Sequence, residues 1–221
     1  MLVAPPWWCD APPVTGEPPP FPAVPSAGWT TDAAAAWGAG LLEGRAVRLR
    51  ATTEEDLPVL EEWWLDPAVA VLQSDVVRPG PPGTIADRFR SWSANTGEDL
   101  GLSVEEQATG ELAGHVALFG AHARRRSATL GVLMGPAHRR RGLGRDAVEL
   151  SLRYAFSELN LHRVQLQVWA FNERALRTYR DCGFVEEGRR REVVFHGGSW
   201  HDEVGMAVLE HEWRARRQPT L

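Results

Sequence analysis

Apolar side chains recur at regular intervals along most of the chain, and their spacing predicts an alternation of strands and helices. Residues 47–50 alternate valine and leucine with arginine, which is typical of a strand with one buried face. Residues 57–65 carry leucine and tryptophan at helical spacing. Thr52 or Thr53, followed by acids, predicts the start of this helix, and Pro67 predicts its end.

The same rules predict the remaining elements of the chain. They are a helix at about Ile85–Trp92, strands at Leu100–Glu106, Leu112–Leu118 and Leu130–Met134, a helix from near Arg145 to Leu159, a strand at His162–Trp169, a short helix from Asn172 to Gly183, and strands at Glu192–His196 and His201–Leu209. This order predicts an α/β fold, in which one mixed sheet carries helices on both faces.

The first 43 residues differ from the rest of the chain. Nine of the 16 prolines fall within the first 25 positions, together with several tryptophans. Proline favours an extended path, whereas tryptophan is unusual in a free tail. We therefore expect an irregular arm over residues 1–43 that lies on the domain or on a partner subunit, with a helical turn near 32–37. A flexible tail is the alternative. The domain itself is expected over residues 44–212, followed by a C-terminal tail, 213–221.

Composition narrows the class of partner and the compartment. The net charge is −5 and the pI is about 5.8, which argues against nucleic acid as the main partner. All 24 basic residues are arginine. Cys9 and Cys182 are isolated, which fits a cytoplasmic setting and predicts no metal site. No apolar run is long enough to cross a bilayer, and no secretory signal is expected, so we predict no membrane association.

The central motif is a strand, a glycine-rich basic loop and the start of a helix, over residues 130–146. The first N–H groups of a helix lack partners within it, so they attract anions. Gly142 and Gly144 allow the backbone to come close to a ligand, and the arginines before and after them add charge. The loop matches neither the nucleoside-triphosphate P-loop nor the dinucleotide fingerprint. We predict a diphosphate ligand; an arginine-rich surface turn is the alternative.

Two motifs together resemble the GNAT superfamily of acyl-CoA N-acyltransferases. The loop Arg139–Gly144 matches the pattern [QR]-x-x-G-x-[GA], and residues 172–184 match N-x-x-[AS]-x-x-x-[YF]-x-x-x-G-F. Residues 49–60 and 198–202 are similar to the branch of ribosomal-protein N-terminal acetyltransferases and related small-amine acetyltransferases. The resemblance covers about residues 44–212. It implies a mostly antiparallel sheet of about seven strands with helices on both faces.

The resemblance also implies an activity and a set of roles. Acetyl-CoA would be the donor, CoA the product, and a primary amine the acceptor, either a protein N-terminus or a small molecule. Tyr179 would protonate the leaving thiolate, and Asn172 would cap its helix and contact the pantetheine arm. A homodimer is a further option, for which the sequence carries no direct signal. The residues that the resemblance assigns to the cofactor are Val132, Leu133, Met134, Arg139, Arg140, Arg141, Gly142, Leu143, Gly144, Arg145, Asn172 and Tyr179.

The general base and the acceptor pocket are less well defined. Many GNAT relatives carry a glutamate where this chain has Thr129, which is not a base near neutral pH. Glu105, Glu106 and His115 are candidates, and a water chain is the alternative. For the acceptor pocket we expect Trp63, Asp75 and Trp92, with Trp64, although each also fits a core or turn role. The missing strand glutamate leaves a second hypothesis: a catalytically degenerate CoA-binding sensor or interaction protein.

Overall fold

The computed structural model describes residues 29–217 as one seven-stranded sheet flanked by helices. The elements in chain order are α1 (Thr31–Gly40), β1 (Val47–Arg50), α2 (Leu57–Leu65), α3 (Pro67–Ala70), α4 (Ala86–Trp92), β2 (Leu100–Glu106), β3 (Leu112–His122), β4 (Ser127–Met134), α5 (Leu143–Ser157), β5 (Arg163–Trp169), α6 (Glu173–Asp181), β6 (Val185–His196), β7 (Ser199–Leu209) and α7 (Glu210–Ala215). The strand order is β1-β2-β3-β4-β5-β7-β6. The predicted mixed α/β fold is confirmed.

The two faces of the sheet carry different helices. Helices α5, α6 and α7 cover one face, where Leu152 and Phe156 pack against strand residues such as Leu166. Helices α2, α3 and α4 cover part of the other face, where Phe89 and Leu60 pack near Leu133 of β4. Along β4, side chains on alternate faces therefore belong to different cores, with Leu130 on the α5 side and Leu133 on the α2 and α4 side. Within residues 29–217, no helix combines the length and the apolar character needed to cross a membrane.

The middle of the sheet contains its one parallel pair of strands among the described residues, β4 and β5. Their pairing runs only from Ser127–Arg163 to Thr129–Gln165. Beyond Thr129, β4 continues to Met134 along β3, and β5 continues to Trp169 along β7. The two strands thus separate towards their carboxyl ends and leave a gap between them, bordered by α5 and α6.

Several element boundaries differ from the sequence-based predictions. Helix α2 begins after Asp56, not at Thr52 or Thr53, because Asp56 binds the Thr53 N–H and its carboxylate is held by Arg50. Pro67 ends α2 but also begins the short helix α3, where its missing N–H costs nothing. Strand β6 is longer than predicted. Five of residues 185–191 are charged and all seven are exposed at a sheet edge, which hides their strand character from a hydrophobicity pattern.

The ends of the described chain are helical. Helix α1 occupies the region of the predicted helical turn, and the Arg153 guanidinium of α5 donates to the carbonyls of Gly40, Leu41 and Glu43. In α7, Trp213 is buried against Phe156 of α5. The expectation of an irregular proline-rich arm concerns mainly residues 1–28, which lie outside the described residues, as do residues 218–221. The proposed domain boundaries remain predictions.

Candidate active site

A cavity of about 830 Å³ occupies the gap between β4 and β5 and extends over the face that carries α2 and α4. One end is bordered by the diverging strands, the glycine-rich loop and α6, including Met134, Gly144 and Tyr179. The other end is bordered by α4 and β3, including Trp92 and Phe119. A single cavity therefore connects the predicted cofactor motifs with the predicted acceptor region.

The glycine-rich loop has the geometry of an anion site. Gly142 is the residue before α5 and has a left-handed backbone with φ of 79°, a conformation that glycine adopts without strain. Arg140 is also left-handed, with φ of 64°. The first N–H groups of α5, from Leu143 onward, face outward from the helix end at this point. The Leu143 side chain is buried in the core, so only its backbone is available to a ligand.

Two arginines line the cavity beside this loop. Arg139 donates from Nε to the Met134 carbonyl at 3.1 Å, and burial lowers its pKa. Burial also lowers the pKa of Arg174 in α6, and the nearby positive charges of Arg139 and Arg140 lower it further. Like charges held this close are typical of a site for a multiply charged anion. Arg174 was missed by the sequence analysis, because nothing in its spacing shows that α6 brings it beside the loop.

Arg141 does not line the cavity. Its guanidinium donates to both carboxylate oxygens of Glu106, with Nη1 at 2.9 Å from Oε2, and the His138 Nδ1 lies 3.3 Å from the same oxygen. The predicted contact of Arg141 with the diphosphate stays a prediction. Ligand atoms of Glu106, Glu111 and His138 lie within 4.8 Å of one another, a spacing that a metal ion could use, but Arg141 already neutralises Glu106. Arg145 is exposed on α5, outside the cavity lining.

The second motif, residues 172–184, contributes Asn172 and Tyr179 to the cavity wall at α6. The Asn172 side chain caps α6 by accepting from the Ala175 N–H at 3.2 Å, as expected for a helix N-cap. Tyr179 lies about two helical turns further along. It packs on Phe184 with ring centroids 5.7 Å apart and lines the cavity. Burial raises the pKa of Tyr179 to about 12, so its hydroxyl keeps its proton at neutral pH.

The acceptor end of the cavity is aromatic. Trp64, Phe89 and Trp92 pack on one another with ring centroids 5.2–5.7 Å apart, and all three line the cavity. Asp75 also lines it, as expected, and is exposed. Trp63 does not: its ring packs on His138 and against Gly135, where a Cβ would come within 2.6 Å of the indole. The acceptor-binding role expected of Trp63 stays a prediction.

The candidate bases differ in whether they line the cavity. Glu105 is bound to Arg48 and Arg50, and Glu106 to Arg141, and neither carboxylate lines the cavity. Their role as the general base stays a prediction, and the cavity lining offers it no support. His115 does line the cavity, but burial lowers its pKa to about 4, and its Nε2 is 2.8 Å from the Ser93 hydroxyl.

Glu203 is a carboxylate that the sequence analysis missed. It lies on β7 opposite Trp169 of β5, it is 6% exposed, and it lines the cavity. Arg190 donates from both Nε and Nη2 to the same oxygen, Oε1, so Oε2 takes no part in this ion pair. Gly205, the next β7 residue on this face, has no side chain, which leaves space beside Glu203. The position of Glu203 beside the cavity follows from the pairing of β7 with β5, which the sequence does not show.

The comparison with known proteins addresses the same elements. A family profile described as an acetyltransferase (GNAT) domain matches residues 46–185, which include the sheet from β1 to β5, the glycine-rich loop and α6. The chain belongs to the GNAT acetyltransferase family. The match begins just before β1 and ends at the first residue of β6, so it covers both motifs and the separated strands.

Named relatives within the GNAT family are N-acetyltransferases. The spermidine N(1)-acetyltransferase of Vibrio cholerae is 35% identical over 115 residues, which are 52% of this chain and 66% of that protein. The corresponding enzyme of Escherichia coli is 30% identical over 112 residues, which are 51% of this chain and 60% of that protein. The chain thus spans less than two thirds of the length of these curated relatives, 66% of one and 60% of the other.

A solved structure extends the similarity to the whole domain. The crystal structure of the Vibrio cholerae spermidine N-acetyltransferase in complex with CoA and spermine superimposes with a TM-score of 0.69 at 26% identity. It covers 76% of this chain and 98% of that chain. Because nearly all of that chain is matched, the seven-stranded sheet and the gap between β4 and β5 belong to a fold that holds CoA in a relative.

Proposed function

We propose that this protein transfers the acetyl group of acetyl-CoA to a primary amine. The observation that carries the proposal is the single cavity that runs from the arginine-lined loop, through the gap between β4 and β5, to an aromatic pocket with acidic residues at its edge. Family membership supports the donor, and the CoA complex of a relative supports its location. The loop and the open strand edge fit this donor, because they offer groups for phosphates and amides in one continuous path.

The donor is held by three sets of groups in this proposal. Backbone N–H groups at the start of α5 and the Arg139 and Arg174 guanidiniums bind the diphosphate, with Arg140 beside them. The backbone of β4 beyond Thr129, which has no strand partner on its β5 side, binds the pantetheine amides. Asn172 orders the start of α6. Bound acetyl-CoA supplies the thioester that the amine attacks.

Tyr179 and Glu203 are the proposed proton-handling groups. The Tyr179 hydroxyl stays protonated, so it can donate a hydrogen bond and a proton to the leaving sulfur as charge develops there. Glu203 can accept the proton that the amine must lose, either directly or through water. The C–N bond forms, the C–S bond breaks, and the proton lost by the amine balances the proton gained by the sulfur.

The acceptor class follows from the aromatic end of the cavity. Trp64 and Trp92 offer ring faces, and Asp75 offers a carboxylate, which together suit a cationic amine attached to an apolar group. The named relatives act on spermidine, so a polyamine is one acceptor to test. A peptide N-terminus is the other, since an α-amine beside an apolar side chain matches the same lining.

The first test is calorimetric titration of CoA and acetyl-CoA into the protein and into Gly142→Trp. We expect micromolar binding by the wild type and loss of binding in the variant, because an indole at the left-handed N-cap position fills the anion site and strains the backbone. Gly197→Trp, at a left-handed glycine in the distant β6–β7 turn, is the matched control and should bind normally. Wild-type protein that binds neither ligand would contradict the proposal.

The second test is turnover by Tyr179→Phe and Glu203→Gln, with spermidine and an alanine-terminated peptide amide as acceptors. We expect kcat to fall about 100-fold or more in each, with CoA affinity unchanged, because each variant removes a proton-transferring group without touching the diphosphate site. A protein that binds CoA but acetylates neither acceptor would favour the alternative, a degenerate CoA-binding sensor.

A further inference from the structure

The Glu106 side chain connects the glycine-rich loop to strand β2. Its carboxylate lies at the end of β2 and is only 4% exposed. Both carboxylate oxygens accept from Arg141, and Oε2 also lies 3.3 Å from the His138 Nδ1. The three residues, called here the loop clamp, form a charge pair between a buried carboxylate and a half-exposed arginine, with a histidine on one side.

Both partners of Glu106 belong to the same loop. His138 ends the short 3-10 turn that follows β4, and Arg141 precedes Gly142, the residue before α5. Between them, Arg140 adopts a left-handed backbone that is unfavourable for a residue with a side chain. A conformation of this kind persists only when its surroundings fix it. The loop clamp supplies two fixed points, one on each side of Arg140.

A third contact supports the same end of the loop. The Trp63 ring of α2 packs on the His138 ring with centroids 6.1 Å apart, and it lies so close to Gly135 that no Cβ would fit there. Trp63 therefore fills the space behind the loop, on the side away from the cavity. The loop is held from the sheet by Glu106 and from α2 by Trp63.

We propose that Glu106 is a positioning residue for the donor's diphosphate. It acts through Arg141 and His138, which hold the loop so that the first N–H groups of α5 and the Arg139 side chain face the cavity. Arg141 thus serves the loop's shape and does not bind phosphate. This inference rests on the proposed use of acetyl-CoA and adds a residue 35 positions upstream of the loop to the machinery that recognises it.

The neighbouring residue provides a matched control. Glu105 is also buried, at 7% exposed, and is also bound to two arginines, Arg48 and Arg50, at 2.7 and 2.6 Å. Its side chain points to the opposite face of β2, and its partners lie on β1, away from the loop. Glu105→Gln should therefore cost stability as Glu106→Gln does, without changing the loop.

The test is calorimetric CoA affinity of the two variants, with thermal unfolding in parallel. We expect Glu106→Gln to weaken CoA binding about tenfold, while Glu105→Gln binds as the wild type does. The kcat of Glu106→Gln at saturating acetyl-CoA should stay within about twofold, because Tyr179 and the acceptor end are unchanged. Equal CoA affinity in the two variants would overturn the inference.

A truncated donor locates the effect on the diphosphate. S-acetyl-pantetheine keeps the thioester and the amides but lacks the diphosphate. We expect kcat/KM for this donor to be the same in wild type and Glu106→Gln, whereas kcat/KM for acetyl-CoA falls about tenfold in the variant. An equal loss for both donors would mean that Glu106 acts on the fold in general, and would contradict a positioning role.

A double-mutant cycle distinguishes positioning of the loop by Glu106 and Arg141 from direct contact between Arg141 and the phosphates. If Arg141 acts through Glu106, then Glu106→Gln, Arg141→Gln and the double variant all bind CoA equally weakly. If Arg141 binds phosphate directly, the two losses multiply, and the inference fails. Should Glu106→Gln not fold, His138→Gln tests the clamp instead, because His138 does not line the cavity and its acetyl-CoA loss must again vanish with S-acetyl-pantetheine. Absence of CoA binding by the wild type would sink the proposed function and this inference together; normal binding with an unaffected Glu106→Gln sinks only the inference.

Discussion

His115 is held neutral by its place in the interior. It is 3% exposed on β3, its ring packs on Phe89 with centroids 5.1 Å apart, and its Nε2 is 2.8 Å from the Ser93 hydroxyl. Burial is the main cause of the low pKa, about 4, and the charge of Asp56 opposes it only in part. At the level of the single residue, a group that normally titrates near pH 6.5 is thus a neutral part of the core.

This environment predicts a specific loss of stability in acid. The unfolded chain binds a proton at His115 below about pH 6.5 and the folded protein only below about pH 4, so stability falls as the pH falls through this window. The loss amounts to roughly 3 kcal/mol at most. Urea unfolding at pH 7 and pH 4.5 should show a smaller difference for His115→Gln than for wild type. Identical differences would show that other groups dominate.

Helix α5 is joined to β1 through one carboxylate. Asp146, in the first turn of α5, accepts from the backbone N–H groups of Arg45, Ala46 and Val47 at 2.9, 2.8 and 3.1 Å, all with Oδ2. Gly44 lies so close that a Cβ there would come within 2.6 Å of the same oxygen. At the level of the element, this contact fixes where the N-terminal end of α5 stands against the sheet edge.

Asp146→Ala should detach that end of α5. Three buried or partly buried N–H groups lose their acceptor, which predicts a loss of about 3 kcal/mol in unfolding free energy. CoA binding should weaken as well, because the N–H groups of the same helix turn form the anion site. Asp146→Asn keeps one acceptor oxygen and should lose less. Unfolding in urea and CoA titration measure both effects; a fully stable alanine variant would contradict this account.

Charge is distributed unevenly over the whole molecule. The net charge is −5, yet Arg139 and Arg174 line one end of the cavity, and Arg140 is close enough for its charge to act on Arg174. An anionic donor is therefore attracted locally by a protein that repels anions overall. We expect CoA affinity to fall severalfold when NaCl is raised from about 50 to about 500 mM, because added salt screens these charges. S-acetyl-pantetheine turnover should be unaffected, and an equal effect on both donors would refute the assignment.

The absence of lysine has a consequence for the whole molecule in the presence of its donor. All 24 basic residues are arginine, whose guanidinium stays protonated and is not a nucleophile at neutral pH. No side chain of this protein offers a primary amine to acetyl-CoA. Intact-mass and peptide mass spectrometry after prolonged incubation with acetyl-CoA should therefore show no side-chain N-acetylation. Such modification is readily detected in lysine-containing proteins, which serve as the positive control.

The fold and half of the site could be predicted from the sequence, for physical reasons. The strand and helix periods over residues 45–209 and the spacing between the glycine loop and Tyr179 are local properties of the chain, and local properties can be read in sequence. Pairing across the sheet cannot. Nothing near Glu106 indicates that it faces Arg141, and nothing near Glu203 indicates that β7 places it opposite Trp169. Both depend on strand register, which the fold alone determines.

Because the pairing of β4 with β5 ends at Thr129, the sheet also falls into two groups of strands. On one side stand four strands, β1 to β4, and on the other three, β5, β7 and β6. The strand pairing between the two groups runs from Ser127 to Thr129, and just before it the Arg126 carbonyl accepts from the N–H groups of His162 and Arg163. The sheet therefore consists of two groups of strands joined by a short paired segment, with helix α5 lying across that segment. A ligand that hydrogen-bonds to both groups of strands links them beyond Thr129. Amide hydrogen exchange near residues 130–134 therefore reports directly on whether the ligand is bound.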